Sequence, residues 1–282
     1  MRSSAISGPA ALRSITALLC LLSVAASHAQ TPLAADSGHF AVYQGDKVVG
    51  ASDYTIQTVP KGFNVTSRGQ LKLTKFSYSF SNAQHLDGNL NLVSDQLSGN
   101  VNGSAVTFGV NADSTGRQFQ INISANGKQT QNSVDRHQHL VLLPDLDSAA
   151  YVLLTQLAIT NPPTSWILIP KENGILVPSS ISRSSSVRGQ LNGTQIDVQH
   201  ATISVNAENS VSVDIFYNSA GQLLEADLPQ QNFFVVRDGF KLINRPKPAA
   251  PSAPPPASPQ QGGSTPPQYP APRGGTPQML QQ

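Results

Sequence analysis

His137 and His139 flank Gln138 and follow Asp135-Arg136. On a β-strand, residues i and i+2 share a face, so both imidazoles could meet one cation, with His200 or Asp135 completing its shell. The same residues also fit a polar strand edge leading into the apolar run 141–143. Asp145 and Asp147 are the other pair with chemical spacing; they suit helix N-caps as well as paired acids. Glu172, Glu208 and Glu225 are the three glutamates, and turns or strand ends are expected for each. Asp113 beside Gly116, and Asp197 after Asn192-Gly193, read as turn and strand-face residues. Ser184-Ser185-Ser186 reads as a solvated loop rather than a source of a nucleophile. The sequence holds no Gly-x-Ser-x-Gly elbow, Ser-x-x-Lys, His-Glu-x-x-His or phosphate-binding glycine loop. No catalytic, cofactor-binding or metal-ligating residue is therefore assigned.

These residues must be carried by a β-rich scaffold around one helix. The run 141–158 is the single stretch that reads as helical. Pro144 stops the preceding strand, Asp145 or Asp147 can cap, and Asn161-Pro162-Pro163 ends the run. Leu146, Ala150, Leu153, Leu154 and Leu157 recur at helical spacing, while Tyr151 and Val152 make the opposite side apolar too. A helix apolar all round is buried, and about a dozen residues are too few to span a bilayer. The expectation is a mainly β (α+β) fold. Its curved antiparallel sheet, or half-barrel, of about ten or more strands wraps around one central helix over 147–158.

Hairpin punctuation runs along the rest of the chain. Gln44-Gly45-Asp46 and Pro60-Lys61-Gly62 are turns, and strands are expected near 76–80, 86–93, 96–101 and 105–110. Gln118-Phe119-Gln120-Ile121-Asn122-Ile123 alternates cleanly, with Phe119, Ile121 and Ile123 on one face. Asn102-Gly103 and Asn192-Gly193 sit in two similar segments, where the dipeptide supplies positive φ for a two-residue turn. Residues 166–170, 201–205, 211–217 and 233–237 complete the strand set. Tyr151, Leu154, Trp166 and Phe233 are the candidate cavity-lining residues, large enough either to border a gap or to fill it.

Residues 1–29 have the order of a secretory signal: Arg2 and Arg13, an apolar run over 15–26, then Ser27-His28-Ala29. Cleavage would remove Cys20, the single cysteine, leaving no disulfide or thiolate chemistry. It would also leave 16 basic residues against 16 acidic ones. A chain so close to neutral is a poor match for nucleic acid or anionic membrane surfaces, and no transmembrane segment is expected in the mature protein. Residues 246–282 hold 12 of the 21 prolines and almost no apolar side chains, so a disordered Pro/Gln/Gly-rich tail is expected over 245–282. One globular domain over 36–244 remains.

Three stretches carry a family resemblance: the opening residues 40–50 (FAVYQGDKVVG), the central helix, and residues 214–224 (DIFYNSAGQLL) together with 234–237. Their order resembles exported bacterial proteins of unknown function that are similar in architecture to the lipoprotein carrier family. The resemblance implies an open β half-barrel gripping helical segments, with acyl chains sheltered inside in the carriers, and it transfers no functional residue. Three functions stay open. The first is a non-catalytic exported cell-envelope protein, periplasmic or extracellular, binding a lipid or other hydrophobic ligand in the half-barrel. The second is an interaction module whose Pro-rich tail recruits an envelope protein. The third is a metal-assisted enzyme around His137 and His139. No cofactor is implied.

Overall fold

A computed structural model describes residues 33–171, 174–205 and 211–245. The leader and the segment 246–282 lie outside the described residues, as do Glu172 and Glu208.

Eight antiparallel strands come first: β1 (Asp36–Gln44), β2 (Lys47–Val59), β3 (Gly62–Lys72), β4 (Ser77–Asp87), β5 (Leu92–Val101), β6 (Ser104–Ala112), β7 (Gln118–Ala125) and β8 (Lys128–Asp135). They form a meander in which every strand pairs with the next. Two-residue loops fix its register at four of the seven turns. At Asn102-Gly103 and Asn126-Gly127 both residues have positive φ, as the tight hairpin turn requires. Asn192-Gly193 repeats the geometry later in the chain, so shared turn chemistry accounts for the two similar segments. Inside the meander Phe119 and Ile121 are fully buried, and Ile123 packs against the core.

A short β9 (Leu140–Leu142), the helix α1 (Ser148–Thr160) and β10 (Ser165–Ile169) come next, with β9 and β10 paired in parallel. Then come β11 (Ile175–Leu191), β12 (Thr194–Val205), β13 (Val211–Tyr217), β14 (Leu223–Leu228), β15 (Phe233–Arg237) and β16 (Phe240–Ile243). β1 pairs with β15, joining the first half of the chain to the second in one sixteen-stranded sheet among the described residues. The sheet stays open: β8 and β9, consecutive in sequence, are its two unpaired edges.

The helix lies in the concavity, and only Gln156, Ile159 and Thr160 on it are even partly accessible. It packs against β2 and β3 from one half of the sheet and β11, β12, β13 and β14 from the other. Side chains from both halves satisfy its ends. At the N-terminus Asp147 caps the Ala149 N–H (2.9 Å), and the Ser52 hydroxyl accepts the Ser148 N–H (3.1 Å). At the C-terminus Asn161 adopts the left-handed conformation, and Arg183 donates to the carbonyls of Ala158 (2.8 Å) and Ile159 (2.6 Å). A cation there also complements the helix dipole. Because Arg183 is largely exposed, Arg183→Gln is expected to cost only about 1 kcal/mol. Urea midpoints beside Arg188→Gln, an exposed neighbour outside the helix contact, will measure the difference.

Three expectations are corrected. The strands expected at 76–80 and 86–93 are one long β4, a turn, and the start of β5. Asp87 makes that turn by accepting the N–H groups of Asn89 and Asn91, and Leu90 takes φ 64°. Ser184-Ser185-Ser186 is no loop: it lies in the seventeen-residue β11 at a bulge, where the register against β12 shifts. Glu225 sits within β14, buried, rather than at a turn.

Candidate functional site

The inner face of the meander is apolar except for one diagonal stripe. Ser52 on β2, Ser67 on β3, Asn82 and Gln84 on β4 and Asp95 on β5 are all buried polar residues. Register explains their meeting. Ser67 is directly opposite Asn82, Gln84 is directly opposite Asp95, and Asn82 and Gln84 share a face as i and i+2. The buried N-terminus of α1 presses on this stripe. Ser52 and Ser148 join hydroxyls at 2.8 Å, and the Asn82 side-chain amide donates to Asp147 at 3.2 Å.

Hydrogen bonding there is incomplete. The Ser67 hydroxyl, the Asn82 carbonyl oxygen, both polar atoms of Gln84 and both carboxylate oxygens of Asp95 are buried without a partner at full hydrogen-bond geometry. Burial, and secondarily the charge on Asp147, pushes the Asp95 carboxyl well above the usual carboxylate range, against the pull of the neighbouring Asn82 and Gln84 amides. Burial also raises Asp147, against the pull of neighbouring Ser67, Asn82 and the helix N–H groups. Among the described residues, neither Asp95 nor Asp147 has an ion-pair partner.

Three openings reach the interior. Two clefts of about 620 and 640 Å³ flank the C-terminal half of α1; Leu33 and Gln156 line both. Leu33, just ahead of β1, is buried and forms their common wall. The third is a groove of about 460 Å³ between strands β4–β7 of the meander and the segments that follow β9 and β10. Phe76, Tyr78, Val106, Phe108 and Ile123 line its meander side, with Leu143 and Pro144 opposite. Asp145 and Lys171, paired at 2.7 Å and half exposed, stand at its rim. The approach is close: Gly174, at φ 79°, lies where a Cβ would meet the Ile121 side chain at 2.9 Å.

The structure disperses the residues singled out from sequence. Tyr151 and Leu154 fill the core on α1. Phe233 is half-buried against the same core, and Trp166 is half-buried under His137, their rings stacked at 3.9 Å. The three openings are lined by other residues. His137 and His139 do not share a strand face, because β8 ends at Asp135 and the chain turns, with His139 at φ 54°. His200 instead bonds Asp214 at 3.3 Å and stacks on Phe216. Among the described residues no three His, Cys, Asp or Glu side chains gather as a metal shell, so this correction removes the strand-face argument for that pair. Sequence reasoning missed the buried stripe; polar residues at alternate positions within strands, Asn82-x-Gln84 above all, were its available signal.

No family model matches the chain, and no curated protein does. Among solved structures it is similar to a β-barrel-like protein of domain of unknown function DUF1849 from Brucella abortus. The TM-score is 0.50 at 8% identity, covering 76% of this chain and 99% of that one. A DUF1089 family protein from Pseudomonas aeruginosa gives a TM-score of 0.41 at 8% identity, covering 66% of this chain and 92% of that one. The first likeness is one of fold: a β-barrel-like architecture. No helix among the described residues is long and apolar enough to cross a membrane.

Proposed function

We propose that this is a non-catalytic, exported cell-envelope protein that holds a single-chain amphiphile in the groove between the meander and the segments that follow β9 and β10. The groove carries the reading. Its volume falls within the range of small-molecule sites, its walls are aromatic and aliphatic, and its ionic groups stand only at the rim. An apolar chain along Phe108 and Ile123, with its polar head near Asp145 and Lys171, matches that distribution. The leader supplies the address, and the resemblance to lipoprotein carriers supplies a precedent for sheltering acyl chains. Recruitment of a partner through the Pro-rich segment is supported by composition alone.

Val106 offers a test because it is only partly buried at the groove wall. Val106→Asp puts a carboxylate against the chain and is expected to weaken binding of a fluorescent fatty acid at least about tenfold. Far-UV circular dichroism should be unchanged. Native mass spectrometry of wild-type protein should show an adduct of lipid mass. Undiminished probe binding in the variant would remove the groove as the site.

A further inference from the structure

We infer that the polar stripe beneath the helix N-terminus is a divalent-cation site of hard oxygen donors, fitted to Ca²⁺, and separate from the groove and its occupant. Five oxygen atoms there have no partner at full hydrogen-bond geometry, although Ser67 adjoins Asp147 and the Asn82 and Gln84 amides adjoin Asp95: Ser67 Oγ, Asn82 Oδ1, Gln84 Oε1, and Oδ1 and Oδ2 of Asp95. Asp147, bound to Asn82, adds a second carboxylate. The register brings these donors together from adjacent strands, since Ser67 opposes Asn82 and Gln84 opposes Asp95 on one inward face. Directly opposed side chains stand about 5 Å apart at Cβ, so their oxygens can close on a common point.

Gln84 is the independent sign. It is 4% exposed and lies opposite Asp95, whose carboxyl its amide adjoins, yet neither its oxygen nor its nitrogen reaches any group at full hydrogen-bond geometry. An amide so enclosed loses its water without replacement, and such groups are retained where something bonds to them. Buried carboxylates obey the same rule: they are protonated, paired with a cationic side chain, or bound to metal. Here no cationic side chain pairs with either one among the described residues. Two carboxylates balance a divalent charge. The donors are carboxylate, amide and hydroxyl oxygens, with no imidazole or thiolate, which selects Ca²⁺ or Mg²⁺ over Zn²⁺. Carboxylate, amide and hydroxyl donors spread over three strands suit the adaptable shell of Ca²⁺ better than the rigid octahedron of Mg²⁺. The consequence is architectural: the ion ties β3, β4 and β5 to the end of the central helix.

The test uses full-length protein stripped with EDTA, then equilibrated with about 1 mM CaCl₂ or refolded from urea in its presence, since an enclosed site can load during folding. Bound calcium is counted by elemental analysis after desalting, and TbCl₃ serves as an optical probe excited through tyrosine. One equivalent of calcium and a rise in Tm are expected. Asp95→Asn should weaken uptake at least about tenfold, a loss of about 1.4 kcal/mol or more. Gln84→Leu removes a donor while leaving an apolar side chain that the core can accept, and it should also weaken uptake. Asp197→Asn, at an exposed carboxylate on β12, should leave uptake unchanged. Should Asp95→Asn not fold, Gln84→Leu decides. The inference is overturned if the wild type takes up no calcium by either route, or if uptake persists undiminished in the folded stripe variants; the stripe would then hold protons and water only.

Discussion

Leu154→Ala is expected to lower stability by about 2–5 kcal/mol, the loss of transfer energy plus the residual cavity at a fully buried position. Leu154→Asp should abolish folding, because the carboxylate would be enclosed by apolar neighbours. Val152 distinguishes an enclosed helix from a one-sided cover. It is 3% exposed and borders one of the clefts at the helix C-terminal half. Val152→Lys can direct its ammonium toward that cleft, so its loss should be smaller than that of Leu154→Asp but still measurable as a shifted urea midpoint. Loss at both positions agrees with a helix contacted by strands of both halves. A neutral Val152→Lys would reduce the helix to a lid over one sheet half, and a neutral Leu154→Ala would contradict the central position altogether.

That helix was legible because its signals are local. Asp147 caps it, Asn161-Pro162 ends it, and its all-round apolarity says that it is enclosed. Hairpins with Asn-Gly turns were equally plain. β4 was not, and the reason is informative: its inward positions include Asn82 and Gln84, so the alternation that marks a half-buried strand disappears where the interior is polar. The feature that hid the strand is the one that makes the site. Long-range partners left still less trace. Ser52 reaches Ser148 across 96 residues, and Arg183 and Arg245 act through contacts that no periodicity encodes. The pairing of β1 with β15, which joins the two halves of the chain, is likewise a property of the whole topology rather than of either segment.

Arg245 is the last of the described residues, and removing it should matter far more than removing residues 246–282. Sequence composition assigned it to the tail, yet its guanidinium bonds both Glu225 and Asp227 and lies over the Phe234 ring at 4.6 Å. The two carboxylates are nearly inaccessible, whereas the arginine side chain is 41% exposed. Solvent therefore screens the interaction, and Arg245→Gln is expected to cost about 2 kcal/mol near neutral pH, below the usual loss for a fully buried pair. The pH dependence has a definite sign. Burial first, and then the charge of Glu225, pushes the Asp227 carboxyl up to about 9 despite Arg245. A carboxyl raised in the folded state contributes stability that is complete below its unfolded value of 3.8 and is lost as pH rises through about 9. Without Arg245 nothing offsets the charges that form, so the loss over that window should deepen. The difference between wild type and Arg245→Gln should be smallest near pH 4, where the Asp227 carboxyl is protonated, and largest near pH 9, where it ionises. Truncation supplies the complementary measurement: ending the chain after Arg245 should leave Tm nearly unchanged, and ending it after Asn244 should lower it by several degrees. Equal Tm values for the two truncations would mean that Arg245 holds nothing in place.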